Sequence, residues 1–160
     1  MTQRTDLATV MDRLAIDDLV TDYARALDEG DWDALRRLFV PGGRADHRSA
    51  GGITGDVHEV TAWLAGTLDA YPLRQHLVLN RQLRFADPER DEREAARLRA
   101  DYLTVLGAAP DGRGVAPDVE CGGRYAFALV RTVDGWRLGE VVVQELWRRN
   151  RVDGVPGGTP

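Results

Sequence analysis

The stretch RQHLVLNRQLRFA, residues 74–86, is where the chain changes its period and so decides its fold class. Leu77, Leu79, Leu83 and Phe85 share one parity, and His76, Val78, Asn80 and Gln82 share the other. Alternation of this kind predicts a strand with an apolar face packed on helices and a second face of mixed polarity. A solvent-facing strand is usually filled with Arg, Lys, Glu and Thr. A His, a Val and an Asn in succession instead suit the wall of an enclosed pocket, which is mostly apolar with a few placed polar groups. The competing reading is an outer face that carries an incidental His.

Upstream of this stretch the period is helical. Leu7, Val10, Met11, Leu14, Leu19, Val20, Tyr23 and Leu27 recur at steps characteristic of an amphipathic helix, which Gly30 should stop in a left-handed turn. Asp31 can cap a short second helix through Phe39, and VPGGR, residues 40–44, should break it. RADHRSAGGITG reads as a strand and a turn. Asp56 then caps a third helix with Val57, Val60, Leu64 and Leu68 on one face, ended by Tyr71 and Pro72.

Downstream the two-residue period persists over 95–106, 119–132 and 136–147, with AAPDGRG and VDG as turns. Helices followed by an antiparallel meander make an α+β plan in which helices cover one face of a curved sheet. Residues 1–150 read as one domain, and the Gly/Pro-rich 151–160 as a flexible C-terminal tail.

Composition bounds the function. The 160 residues are 43% hydrophobic and 29% charged, with no apolar run of about 18 residues that could span a bilayer as a helix. Charges near the N-terminus do not suit a signal peptide, so a cytoplasmic protein is expected. Acids outnumber bases 26 to 21, for a net charge of -5. That leaves no basic stripe for nucleic acid, and a small organic ligand is the expected partner. The one cysteine, Cys121, excludes an internal disulfide and a cysteine-cluster metal site, and reads as a quiet, partly buried thiol. The three histidines, His47, His58 and His76, lack the tight spacing of a metal site, so neither a metal nor a cofactor is expected.

The first helix places Asp28 in its last turn, where the macrodipole disfavours a carboxylate. A compensating partner, or a watery site, would account for it. If that partner is His76, the carboxylate fixes the imidazole tautomer and leaves the other ring nitrogen as a base near neutral pH.

The features YARALDEGDWDALRRLF, a third helix with WL, HLVLN and VDGWRL together resemble the SnoaL-like branch of the nuclear transport factor two superfamily, over about residues 7–147. The resemblance implies a cone-shaped α+β barrel: N-terminal helices on a strongly curved, mostly antiparallel sheet enclosing a cavity. Its catalytic likenesses are scytalone dehydratase, bile acid 7α-dehydratase and hexachlorocyclohexane dehydrochlorinase. By those motifs Asp28 is the orienting carboxylate and His76 the base of an elimination. Tyr23 stands at the helix position of a catalytic tyrosine, with a core aromatic as its bland reading. Asn80 and Arg131 match substrate-orienting and anion-stabilising positions of the dehydrochlorinase. ADHRS puts His47 where scytalone dehydratase has a water-activating tyrosine, which places that enzyme's own mechanism in doubt. Asp46 is the alternative acid/base, and strand parity sends Asp46 and His47 to opposite faces. Trp63, Tyr125 and Phe127 are candidate pocket-shaping aromatics, and His58 reads as surface.

Two functions follow. The first is a cofactor-free dehydratase (lyase) or cyclase/isomerase acting on a hydrophobic polyketide- or terpenoid-like molecule. The second is a non-catalytic ligand-binding or structural subunit of the kind that accompanies ring-hydroxylating dioxygenases. The resemblance also implies a homodimer or homotrimer.

Overall fold

The computed structural model describes residues 7–87, 94–108 and 117–151. The expected C-terminal tail from residue 152 and most of the turn at 108–114 lie outside the described residues. The chain order is α1 (Leu7–Glu29), α2 (Trp32–Arg37), β1 (Phe39–Asp46), a single 3-10 turn (Arg48–Ala50), β2 (Thr54–Asp56), α3 (Val57–Leu68), β3 (Leu73–Phe85), β4 (Ala95–Gly107), β5 (Val119–Thr132) and β6 (Gly135–Asn150). The six strands form one sheet in the order β2-β1-β6-β5-β4-β3, antiparallel throughout except for the parallel pair β1 and β6. The helices pack on one face and the sheet does not close, giving the expected α+β cone with an open side.

Local chemistry explains the helices. Gly30 stops α1 at a φ of +67°, and the Asp31 carboxylate accepts the Ala34 amide at the start of α2. Asp56 and Glu59 form a reciprocal capping box on α3. The apolar stripe of α1 is split. Ile16, Leu19, Val20, Tyr23 and Leu27 are buried, whereas Leu7, Met11 and Leu14 are exposed because the helix's first turns project past the sheet. Each large buried side chain of the inner layer contributes roughly 1.5–3 kcal/mol of burial free energy.

Two expectations are corrected. The second helix ends at Arg37 rather than Phe39, and the VPGGR that follows it is not a loop but part of β1, where Gly42 takes a φ of +76° and the register on β6 shifts between Phe39 and Arg44. The parity of β3 is not constant either. Between the pairs Leu79–Asp101 and Gln82–Arg99, both Asn80 and Arg81 stand opposite Ala100, and Asn80 takes a φ of 51°. This bulge reverses the facing. His76 and Val78 point inward before it and Leu83 and Phe85 after it, while Leu77 and Leu79 face out at 37% and 40% exposure. Further register shifts at Gly122–Gly123 and Ala128–Leu129 bend β5 against β6. Bulges increase twist and bend the strand, which curls this sheet over the helices.

Candidate active site

β3 lies at the edge of the sheet, so half of its backbone N–H groups have no strand partner and turn toward α1. The His76 amide is one of these, and the Asp28 carboxylate accepts it, at 3.0 Å to Oδ1 and 3.2 Å to Oδ2. The same Oδ1 lies 2.6 Å from the imidazole Nδ1. Asp28 therefore offsets its unfavourable place at the helix end with two donors from one residue. The double contact fixes the ring's rotation as well as its tautomer: Nδ1 carries the proton shared with Asp28, and the lone pair of Nε2 points away from it. The His76 side chain is 8% exposed and that of Asp28 26%, so the ring is largely buried and the carboxylate partly reaches the surface near the C-terminal end of α1.

The bulge supplies the brace. Arg81, turned inward by it, donates to the Asp17 carbonyl at 2.9 Å, the Asp17 carboxylate at 2.5 Å and the Thr21 hydroxyl at 3.2 Å, tying α1 to β3 about two to three turns before Asp28. On the other side Arg74 donates to the Leu68 and Tyr71 carbonyls and stacks over Trp32, joining the end of α3 to α2. Neither arginine was singled out by sequence reasoning. The signal for Arg81 was the Asn before it, a residue that tolerates positive φ in the middle of an otherwise regular strand.

Tyr23 is 1% exposed and its ring meets Tyr125 and Phe127 edge to face, at centroid distances of 5.8 and 5.5 Å. Its hydroxyl has no hydrogen-bond partner among the described residues. Burial pushes its pKa well above the ordinary tyrosine value, so it stays protonated and is available as a donor. Tyr125 is shifted upward for the same reason, and Tyr102 stacks on it at 4.6 Å. Tyr125 and Phe127 are thus packed against Tyr23 rather than forming an open wall.

His47, the residue between β1 and the 3-10 turn, is buried, 6% exposed, and tilted against Trp63 at 5.6 Å. Burial is the main reason its pKa falls to about 4, against the pull of Asp46 and helped by nearby His76, so the ring is neutral at pH 7. Its Nδ1 is buried and, like the Tyr23 hydroxyl, has no partner among the described residues. Both residues border one small space of about 10 Å³, with Phe39, Ala45, Val57, Val60 and Leu64 around it. That is room for about one water, and it has the polar neighbours a buried water needs.

Three expected pocket residues face elsewhere. Asp46, on the opposite parity to His47, is held by Arg48 through paired bonds of 2.6 to 3.2 Å, which lower its pKa to about 2. Asn80 sits outward on the bulge and donates to Asp101 at 2.8 Å, because the bulge diverts it from the inner face. Arg131 lies at the β5–β6 hairpin rim, bound to Asp12 and Glu94 and stacked over Trp136, far along the strand from His76. His58 is exposed on α3. Among the described residues no group of three or more His, Cys, Asp or Glu side chains is arranged to hold a metal ion. Burial raises the pKa of the Cys121 thiol to about 11, so it is protonated.

Sequence reasoning also missed a polar row on the inner sheet face. His76 pairs with Thr104, Thr104 with Cys121 and Cys121 with Arg148 across four adjacent strands, and Arg148 holds Glu145 through two bonds of 2.9 and 2.7 Å.

Comparison with known proteins agrees with this architecture. A family model described as a SnoaL-like domain matches residues 8–142. The uncharacterized protein Rv2910c of Mycobacterium tuberculosis is 33% identical over 132 residues, 82% of this chain and 84% of that protein. The hexachlorocyclohexane dehydrochlorinase LinA-type3 of Novosphingobium barchaimii superposes with a TM-score of 0.73 at 16% identity, covering 98% of this chain and 100% of that one. A scytalone dehydratase-like protein of Novosphingobium aromaticivorans gives 0.71 at 17% identity, covering 94% and 96%. At such identities the superpositions establish the fold.

Proposed function

We propose that this chain, which belongs to the SnoaL-like domain family, is a cofactor-free acid/base enzyme, a dehydratase or a cyclase/isomerase, acting on a hydrophobic polyketide- or terpenoid-like small molecule. The observation that carries this reading is the 2.6 Å contact between Asp28 Oδ1 and His76 Nδ1 on a side chain 8% exposed. His76 Nε2 removes a proton from a carbon acidified by a neighbouring carbonyl. Asp28 stabilises the imidazolium that forms, and the pair shares the charge. The Tyr23 hydroxyl, protonated and unpartnered, donates to an oxygen that gains charge or departs, and neutral His47 holds a water nearby. General acid-base help of this kind supplies roughly 10²–10⁴-fold. The fold relatives named as a dehydrochlorinase and as scytalone dehydratase-like support an elimination.

The test is turnover of a panel of β-hydroxy and polycyclic ketones by wild type, His76→Ala and Asp28→Asn. Loss in both variants with melting curves near wild type is expected; undiminished turnover in His76→Ala would refute the assignment.

A second reading, a non-catalytic binding or structural module, is favoured by one observation: the space beside Tyr23 and His47 holds about 10 Å³, whereas hollows of about 620 and 340 Å³ lie on the outer sheet face. Leu77, Leu79, Leu103 and Trp147 are exposed on that outer side. They support self-association as a homodimer or homotrimer, which sedimentation would reveal. Cytoplasmic residence is proposed with it; no helix among the described residues is long and apolar enough to cross a membrane.

A further inference from the structure

From two adjoining rows of outward side chains, we infer that the outer face of the sheet carries a binding site for a phosphate monoester of a flat-ringed small molecule, a nucleoside monophosphate in type, with Arg84, Arg97 and Arg99 on the phosphate. The site lies on the opposite face of the sheet from His76 and is independent of the reaction proposed there.

Register builds it. Arg84, Arg97, Ala128 and Glu140 are successive partners across β3, β4, β5 and β6, and Gln82, Arg99, Ala126 and Val142 make the neighbouring row. These residues alternate along their strands with the buried Leu98, Phe127 and Val141, so both rows face outward. In each row an arginine on β4 stands beside an alanine on β5. The missing side-chain volume leaves a hollow of about 340 Å³ over Ala126, Ala128 and Val142, and a second of about 620 Å³ adjoins it past Arg99, toward Arg48 and Arg124. Both volumes are in the range of small-molecule sites, and a ligand reaches them without displacing any packed side chain.

Charge says what the hollow takes. The chain carries a net charge of -5, yet five arginines and two acids line the two hollows. Asp46 holds Arg48, and Arg124 lies 3.6 Å from Asp101. Arg84, Arg97 and Arg99 have no ion-pair partner among the described residues, although Arg84 stands directly opposite Arg97. Like charges so placed weaken a sheet, and an anion between them turns the repulsion into attraction. A carboxylate offers two oxygens and one charge. A phosphate monoester offers three oxygens and nearly two charges, which matches three guanidinium forks. The alanine methyls and Val142 give the body of the ligand a low apolar floor. Across that floor, two strand spacings or roughly 9.5 Å from Arg97, Glu140 accepts an N–H or O–H from the ligand's far end. Its carboxylate also repels a second phosphate, which favours a monophosphate over a longer chain.

The probes are AMP, adenosine and inorganic phosphate, with binding to the full chain followed by calorimetry and by NMR of the arginine Nε–H groups. Wild type should bind AMP at least about tenfold more tightly than adenosine, the worth of one charge-assisted hydrogen bond, and more tightly than phosphate, which has no body to lie on the floor. Arg97→Gln and Arg99→Gln change exposed side chains, and each should weaken AMP about tenfold with melting curves unchanged. Ala126→Leu fills the floor at an exposed position and should weaken AMP while leaving phosphate binding intact, a split that a diffuse patch of surface charge would not give. His76→Ala should bind AMP as wild type does, whatever it does to turnover. Equal binding of AMP and adenosine, no binding of AMP, or undiminished AMP binding by Ala126→Leu each overturns the inference. So does a dimer that Arg97→Gln dissociates, because a second copy would then occupy this part of the face.

Discussion

Lowering the pH should destabilise this protein through His47, and the size of the effect can be worked from its surroundings. The ring is 6% exposed, beside Trp63, and its pKa falls from 6.5 in the unfolded chain to about 4 in the fold. Between those values the unfolded state binds the proton and the folded state does not, so stability is fully present above pH 6.5 and is lost as the pH falls toward 4. The loss is about 2.5 kcal/mol at pH 4.5 relative to pH 7.5, since each tenfold difference in proton affinity between the two states corresponds to about 1.36 kcal/mol. For a chain of this length that is a fall in Tm of roughly 5–10 °C. Asp46, the adjacent acid, stays ionised down to about pH 2, so its pull on His47 is constant across the window. The assay is urea unfolding at half-unit steps from pH 4.5 to 7.5 for wild type and His47→Leu, which replaces the ring with an apolar group of similar size. The difference between the two curves should change by about 2.5 kcal/mol across the range. Parallel curves would refute the buried, neutral state of His47 and with it the role of water holder.

Other perturbations separate structure from chemistry. Tyr23→Phe removes a buried hydroxyl with no partner among the described residues, so stability should hold or rise by up to about 1 kcal/mol in thermal melts, while turnover falls if the hydroxyl donates to substrate; a destabilised variant would mean that the hydroxyl is bonded in solution. Gly123→Ala places a Cβ 2.1 Å from the Gln144 carbonyl oxygen and 2.9 Å from the Glu145 Cα, both backbone, so β5 and β6 must separate at their bulge, and soluble yield and Tm should drop sharply.

What the sequence revealed was what local rules govern. The caps at Asp31 and Asp56 and the bounds of β5 depend on side chains a few residues apart, and each stands where the pattern put it. The errors come from one-residue insertions. A bulge shifts parity without changing composition, so the apolar residues of β3 read as one face when Leu77 and Leu79 are on one side and Leu83 and Phe85 on the other. Asn80 was assigned inward by the same count. Arg131 was placed by hairpin register, but its partners Asp12 and Glu94 come from α1 and from the residue before β4, pairings that no local spacing encodes. The Glu145–Arg148 pair was hidden likewise, since the shift at Gly122–Gly123 sets residues three apart on one face of a strand.

These irregularities also explain why the dyad is where it is. An edge strand offers unpaired amides, and an acid at a helix end needs donors; packing α1 along β3 meets both requirements at Asp28 and His76. Had β3 continued without its bulge, Arg81 would point away from α1, and the helix would lose its tie to the strand through Asp17 and Thr21. Asp28 would then depend on His76 alone to fix its distance. Catalytic geometry tolerates little error: a displacement of about 1 Å can cost 10²-fold. Arg81→Met should therefore lower kcat more than it lowers Tm, with backbone amide exchange of His76 accelerated. If exchange at His76 is unchanged while activity falls, the arginine acts by some route other than bracing α1 on β3, and the account of the dyad's placement given by the bulge fails.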